Sequence, residues 1–582
     1  MQDYDEATAF LGEWGPFQRR IFFFLCVTII PNGYVTLSMV FLADTPQHHC
    51  HLPDSLNGTT GEANLSSLLP VEEVDGEMIY SRCRRYKTPV TDDLNDTTRE
   101  TEPCVDGWEY STDRYISTIV TQWDLVCDNN WKGPFTSSVF FLGALFGSII
   151  SGHVSDSGIF LLFYRYGRKV VLFGGIAMQT IFSFIQVACT SWEMFCVLSF
   201  FIGIGDISNY IAAFVLGTEV LIKSARIVYS TIGVGIFYAI GYICLSLFAY
   251  LIPDWKMLLL ALTVPEILVL PFWWFIPESP RWLLSQGQVE EVEAIVKAAA
   301  KQNDIKCTGM RFENNDGATH GNLATRHTDM HNYLDLIRTN NIRNITVISF
   351  LLWMIITIGY YGLSFNMANL HGDPYINCFI SAATEIVVYV MCWWFMHTTP
   401  RRIVTASMLF LSGSVLLLVQ CVPKTLRIMT IIFVMIGKSG VTAAFTIIYI
   451  YSAELYPTVV RNMGLGACSM ASRIGSMIAP YFAYLVMYDE VLPFMLMGTL
   501  MLTAGMFSLM LPETRDHPLP EMIQQTQSIN CCWFSARLSG LRPSTIQTTV
   551  LQNSNIFSPA STAELQPIAP ASTLAYDCTE LP

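Results

Sequence analysis

Charge is what this chain has least of: across 582 residues only 14% are Asp, Glu, Lys or Arg, while 52% are hydrophobic and 13% aromatic. A soluble globular chain covers its surface with roughly a quarter charged residues. Water-soluble folds are therefore excluded, and a polytopic membrane protein remains. The net charge of −14 gathers in residues 44–132 and in the C-terminal tail, so it says little about the membrane-embedded part. No basic cluster marks the chain for nucleic acid, and none is expected as a partner.

Other absences narrow the function. The start, MQDYDEATAFLGEWGPFQRR, is acidic and amphipathic where a cleavable signal would be basic and then apolar. The first apolar run is therefore expected to direct insertion itself. No nucleophile and base, no metal-ligand spacing and no phosphate loop stand out, so an enzyme is not expected, nor a metal or cofactor. Residues 217–224, GTEVLIKS, approximate a nucleotide-binding loop, but Ile222 stands where that loop needs its second glycine. The segment also ends a membrane helix, whereas a phosphate loop follows a strand.

Long apolar runs are what the chain has in abundance. A bilayer crossing takes about 20 residues as a helix, and twelve runs qualify: 20–42, 134–154, 170–189, 194–216, 228–251, 256–276, 344–365, 374–397, 403–422, 427–450, 463–487 and 491–511. The fold class is all-α, with residues 1–19 as an N-terminal segment and 20–276 as one six-helix half. Residues 277–343 form a polar linker with an amphipathic helix at Val289 to Lys301. A second half follows at 344–511, then a Ser, Thr, Pro and Gln-rich tail at 512–582 that is expected to stay disordered.

Lysine and arginine in the short loops set the orientation. The loops after spans 2, 4, 8 and 10 carry Arg165, Arg168 and Lys169, then Lys223 and Arg226, then Arg401 and Arg402, then Arg461. The loops after spans 3 and 11 carry none. Both termini are thus expected in the cytoplasm and residues 44–132 outside. That region bears glycosylation sequons at Asn57, Asn64 and Asn95. It also bears Cys50, Cys83, Cys104 and Cys127, enough for two disulfides in an oxidising compartment, with three pairings open.

The two halves repeat. Glu219 and Glu454, Arg226 and Arg461, and Glu278 (in PESPR, with Arg281) and Glu513 (in PETR) are each offset by 235 residues. Three coincidences at one offset mark a duplicated six-helix unit. Parallel six-helix halves with a substrate site between them describe the major facilitator architecture, which works by rocking one half against the other. The repeated charges, with Asp156, Arg165 and Arg168, are expected to form a cytoplasmic gate through charge-assisted contacts; the plainer reading is that they only set orientation.

Inside the membrane, isolated charges stand out. Arg473 lies mid-span, where an arginine costs on the order of 2.5 to 3.5 kcal/mol unless it faces protein or water and finds a partner. It can hold a carboxylate by a bidentate pair. Trp353, Tyr360, Tyr361, Phe445 and Tyr449 offer ring faces for a quaternary ammonium, although aromatics at helical spacing are more often core. Glu385 is expected to counter Arg473 or Lys438, or to meet an ammonium directly. Asn32, Asn209 and Tyr210 are oxygen donors that could hold Na⁺ beside Asp206.

Several segments carry a family resemblance. GHVSD and RYGRK between spans 2 and 3, DYDEATAFLGEWGPFQ, IIPNGY, DGWEYS, GTEVLIKSARI, FIPESPRWLLSQ and AELYPTVVRNM together resemble the organic cation/carnitine transporters. The resemblance covers nearly all of residues 1 to 520. It implies a plasma-membrane secondary transporter of carnitine and related quaternary-ammonium zwitterions or organic cations, with Na⁺ as the coupling ion. An ergothioneine or general organic-cation transporter is the nearest alternative, and a non-transporting ligand sensor a further one. Relatives preferring simple cations carry an aspartate where Arg473 stands, so the arginine points to substrates with a carboxylate. The chain departs from the family pattern twice. Asp206 stands where relatives have glutamine, and SGIFLLFY at 157–164 is interposed between Asp156 and Arg165. Such an apolar insert in a charged loop reads as a sequence artefact, or as an isoform that has lost transport. Deleting residues 157–164 is expected to raise uptake of labelled carnitine into cells at equal surface level; unchanged uptake would show the insert to be harmless.

Overall fold

The computed structural model describes residues 8–12, 14–51, 69–74, 77–87, 100–156, 167–307, 334–515, 520 and 578–580. Twelve membrane-length helices occupy the twelve apolar runs. They are α1 (Pro16–Leu42), α2 (Lys132–Asp156), α3 (Gly167–Val187), α4 (Trp192–Val220), α5 (Ala225–Leu251) and α6 (Trp255–Trp274) in the first half. The second half holds α7 (Asn340–Phe365), α8 (Pro374–Thr398), α9 (Arg401–Leu418), α10 (Arg427–Leu455), α11 (Arg461–Tyr484) and α12 (Leu492–Met510). Among the described residues eleven are long and apolar enough to cross a membrane. The twelfth, α11, falls short because its buried face is small and polar: Gly464, Ser472, Gly475, Ser476 and Ala479 lie against neighbouring helices. Close backbone approach by small residues is how membrane helices associate without a hydrophobic drive.

Within the first half α4 packs on α2 and α3, and α5 on α1; within the second, α7 packs on α11 and α9 on α10 and α12. The halves meet along two seams, α2 against α11 and α5 against α8. The interface between the halves is bounded by those four helices. At one end of the α5–α8 seam, Phe41 stacks on Tyr375 of α8 at 5.3 Å and 11°. Tyr250 meets the same ring edge-on at 5.7 Å, and Tyr115 approaches it at 6.2 Å while its hydroxyl donates to Asp44 Oδ2 at 2.7 Å. Burial pushes the Asp44 carboxyl up from its ordinary value, opposed by that hydroxyl and by Arg114. Three rings of the first half thus close on one ring of the second.

Two local irregularities have clear causes. Pro31 lacks an N–H, so α1 breaks into Pro16–Val27 and Ile30–Leu37. At the break the Thr28 carbonyl accepts from Asn209 Nδ2 at 3.4 Å. Just beyond it Gly33 crosses Gly241 of α5, and a Cβ at either glycine would run into the other helix's backbone. A π turn, Tyr229–Gly233, interrupts the start of α5.

The duplication is reproduced at the helix ends that carry the repeated charges. Glu278 accepts from the backbone N–H groups of Arg168 and Lys169 at the start of α3, and Glu513 accepts from those of Arg401 and Arg402 at the start of α9. Both carboxylates therefore sit on a helix N-terminus, where the dipole favours an anion. Glu219 pairs with Arg168 at 3.3 Å and Glu454 with Arg401 at 3.5 Å. Arg226 donates to the Leu221 carbonyl and Arg461 to that of Tyr456. The glutamates thus meet an arginine at the start of α3 or α9, each within its own half, and the arginine seven residues on secures the turn between two helices. Arg281 lies on the short helix Pro280–Ser285 beside this network. The side chain of Asp156 and all of Arg165 and residues 157–164 lie outside the described residues.

In the linker, a helix spans Val289–Gln302 and buries Val292, Val296, Ala299 and Ala300 against Leu11 and Leu283. Asn303 then hooks the linker onto α1: its Oδ1 accepts from Phe17 N–H at 2.9 Å and its Nδ2 donates to Gln18 Oε1 at 3.0 Å. Most of the tail lies outside the described residues. Cys578–Glu580, however, pairs antiparallel with Ile305–Cys307, which departs from the expectation of a wholly unstructured tail. An exposed strand edge offers backbone groups that such a segment can complete.

In the segment between α1 and α2, short antiparallel pairs such as His48–Cys50 with Trp108–Tyr110 are bound by two disulfides. Of the three pairings, the structure forms Cys50–Cys104 and Cys83–Cys127. Asn57, Asn64 and Asn95 lie outside the described residues. Peptide mapping under non-reducing conditions is expected to recover those two linked peptides, and a Cys50–Cys83 or Cys50–Cys127 link would contradict the fold of this region. Replacing Cys83 by Ser should remove about 2 to 5 kcal/mol of stability from it, read as reduced delivery to the cell surface.

Candidate functional site

Helical spacing places the candidate rings. On α7, Trp353 and Tyr360 are two turns apart, with Tyr361 beside them; on α10, Phe445 and Tyr449 are one turn apart. Trp353 meets Tyr449 edge-on at 4.3 Å and Phe445 stacks on Tyr360 at 5.5 Å and 13°. Tyr361 reaches Phe141 of α2 at 4.8 Å, so the cluster touches both halves. Ser452 fixes the Trp353 ring by accepting from its Nε1 at 2.9 Å.

Glu385 and Lys438 form an ion pair at 3.0 Å, each only 1% exposed. Tyr360 OH lies 3.2 Å from both oxygens of Glu385, and Lys438 also donates to Ser381 Oγ. The ammonium sits 4.7 Å over the ring of Tyr242 on α5. Of the counter-charges open to Glu385 in the sequence, the structure selects Lys438. A buried pair holds when further hydrogen bonds satisfy both ions, and Ser381 and Tyr360 provide them here.

That choice leaves Arg473 without a carboxylate. Among the described residues its side chain makes no ion pair or hydrogen bond, and its Nε is buried and unpartnered. Its charge is felt at Tyr210, Tyr361, Tyr449 and Asp206, which places it beside the aromatic cluster and facing the first half. A cation, ring faces and hydroxyls therefore line one region between α4, α7, α10 and α11.

The ion-site residues also converge. Asn32 Nδ2 donates to Asp206 Oδ1 at 3.0 Å and to the Asp206 carbonyl at 2.7 Å. Thr36 Oγ1 donates to Asp206 Oδ2 at 3.1 Å, and Asn209 Nδ2 to Asn32 Oδ1 at 3.1 Å. Asn32, Asp206 and Asn209 are buried, held together by the break in α1. Tyr210 stands apart from these bonds, within reach of the Arg473 charge.

Sequence reasoning missed Glu266, which is 1% exposed within α6. It accepts from Gln179 Nε2 at 2.9 Å and from Thr180 Oγ1 at 3.0 Å. The signal was present: a lone carboxylate in an apolar span is costly enough to mark a site. Tyr242, Phe141, Ser381 and Ser452 were also missed, and nothing in their local sequence separates them from core residues.

Comparison with known proteins accords with this geometry. The family described as sugar (and other) transporter matches residues 107–525. The human organic cation/carnitine transporter 2 is 52% identical over 536 residues, covering 90% of this chain and 94% of that one. The mouse solute carrier family 22 member 4 is 49% identical over 540 residues, covering 91% and 95%. A fruit-fly (Drosophila melanogaster) organic cation transporter protein is 33% identical, covering 90% and 94%. Among solved structures, the major facilitator proton:xylose symporter XylE superposes with a TM-score of 0.53 at 14% identity, covering 88% of this chain and 99% of that one, a likeness of fold. These are transporters and not enzymes, and the chain belongs to the organic cation/carnitine transporter family, within the wider sugar (and other) transporter family.

Proposed function

We propose that this chain carries carnitine-like zwitterions, and related organic cations, across the plasma membrane by alternating access, driven inward by Na⁺. The observation that carries the reading is Arg473, a half-buried cation whose Nε is sealed from solvent and which has no protein partner among the described residues. A charge within a membrane span that lacks a partner is costly, and a substrate carboxylate removes that cost by a bidentate bond. Trp353, Tyr361, Phe445 and Tyr449 then face the quaternary ammonium, where a desolvated cation–π contact contributes about 2 kcal/mol. The identity to carriers named for organic cations and carnitine supports the same substrate class.

Roles follow for the remaining groups. The Lys438–Glu385 pair is a brace: it neutralises Glu385, fixes Tyr360, and sets the Tyr242 ring of the other half against a charge. Asp206, Asn32 and Asn209 form the ion site, whose donors are all oxygen once a cation displaces the Asn32 amide N–H, and oxygen ligands suit hard cations. At the cytoplasmic ends the Glu219–Arg168 and Glu454–Arg401 pairs make each half a rigid unit, so that rocking moves the seams and leaves the helix ends intact.

Saturable carnitine uptake that is lost when Na⁺ is replaced by N-methylglucamine is the expected result; ergothioneine uptake without carnitine uptake, or binding without flux, would overturn the reading. Arg473→Asp should raise the KM for carnitine about 10- to 100-fold, the worth of a charge-assisted hydrogen bond of roughly 1.5 to 3 kcal/mol. Tetraethylammonium, which has no carboxylate, should lose far less, and equal losses would make Arg473 structural. For the brace, Lys438→Met alone should destabilise the protein by about 3 to 5 kcal/mol by stranding Glu385. Glu385→Gln combined with Lys438→Met should recover most of the melting temperature, a double-mutant cycle that strict additivity would refute.

A further inference from the structure

We propose that Glu266 and Gln179 complete, with Asp206, a two-carboxylate site for a small hard cation inside the first six-helix half, apart from the substrate cleft. This rests on the Na⁺ coupling proposed above and extends it to residues on α3 and α6. Three observations converge. Glu266 is deeply buried and receives only two neutral donors, Gln179 and Thr180; no Lys, Arg or His pairs with it among the described residues. Asp206 is close enough for the two carboxylate charges to interact, and it too is held only by neutral donors, Asn32 and Thr36. As anions in a membrane interior with no cation in contact, the two carboxylates cost several kcal/mol each, a cost that a bound cation removes.

The second observation is a set of buried oxygens with nothing to accept from. Gln179 is 1% exposed and Asn209 is 0% exposed, yet Gln179 Oε1 and Asn209 Oδ1 have no hydrogen-bond partner. Gln179 points its amide nitrogen at Glu266, so its oxygen lies within one amide width of that carboxylate. Asn209 is tied through Asn32 to Asp206. The Tyr34 hydroxyl, also buried and unpartnered, feels the charge of both carboxylates. The donor set is two carboxylates, two amide oxygens and a phenol. Without nitrogen or sulfur, such a set suits an alkali cation and not a transition metal.

The third is a neighbouring cavity. Its lining is mostly apolar and includes Phe365 of the second half, and among the first-half residues it presents Thr36, Ser137, Ser183, Gln186, Ser199 and Thr263. Thr36 is the residue that bonds Asp206, and Thr263 lies one turn before Glu266 on α6. Gln186 lies near the end of α3, on the expected outer side, so hydroxyls and an amide lead from there toward the two carboxylates. A single Na⁺ offsets one of the two carboxylate charges and leaves the Arg473 guanidinium free for a substrate carboxylate.

The test uses the full-length protein, purified in lipid nanodiscs and melted in NaCl, KCl or N-methylglucamine chloride at matched ionic strength, alongside carnitine uptake as a function of Na⁺ in cells. Wild-type protein should melt higher in Na⁺ than in either other salt. Glu266→Gln should raise the half-saturating Na⁺ in both assays roughly tenfold, while the KM for carnitine at saturating Na⁺ moves less than about twofold. Identical Na⁺ curves for wild type and Glu266→Gln would overturn the site, as would a wild-type response that is equal for Na⁺ and K⁺ or that follows pH alone. Should uptake be independent of Na⁺, the coupling proposed above fails, and the melting series still decides the site: a Na⁺ shift lost in Glu266→Gln supports it, and no shift overturns it. If Glu266→Gln does not fold, Gln179→Leu removes the unpartnered oxygen and keeps the carboxylate; a wild-type Na⁺ response in that variant overturns the proposal.

Discussion

An unpaired, half-buried guanidinium organises the centre of this molecule. Arg473 sits on the most polar of the twelve helices, and the surrounding side chains are arranged so that none of them neutralises it. The nearest carboxylates are committed elsewhere: Glu385 to Lys438, and Asp206 to the donors Asn32 and Thr36. Satisfied polar networks on either side thus keep one charge in reserve. A site of this kind is preorganised, because the protein has already met part of the cost of desolvating the cation before any ligand arrives.

The division of labour between halves follows from where those networks lie. The second half holds the paired charges and the rings; the first half holds the neutral amides, hydroxyls and two carboxylates without countercharge. The seams of α2 with α11 and of α5 with α8 bring the two chemistries together. Tyr242 over Lys438 and Phe141 against Tyr361 are contacts that cross them. A movement of one half therefore changes the environment of charges in the other, which is the physical form that coupling between two sites must take.

How legible was this in the sequence? The duplication was fully legible, since charges at helix ends are sparse enough that one offset stands out, and the structure repeats even the backbone carbonyls they hold. Arg473 was legible for the same reason, as an isolated charge in an apolar span. The partner of Glu385 was not, because choosing between Arg473 and Lys438 requires knowing which faces of α8, α10 and α11 meet. Disulfide pairing was closed to sequence for the combinatorial reason that four cysteines pair three ways. The repeated charges gather at one end of the bundle, yet the heptad spacing concealed that each glutamate reaches the start of another helix. Glu266 carried the same signal as Arg473 and was passed over because its helix repeats no motif.

The two ends of the bundle are held by different forces, and this gives the molecule an asymmetry of its own. At one end, Tyr375 is gripped by Phe41, Tyr115 and Tyr250 through ring contacts that join the two halves, and dissolved ions leave their strength almost untouched. At the other, carboxylates and guanidiniums that are partly exposed tie helix ends together within each half, and ions in solution weaken such pairs within a screening length of about 8 Å at physiological strength. Added salt therefore loosens the ends of each half while leaving the clasp between the halves intact.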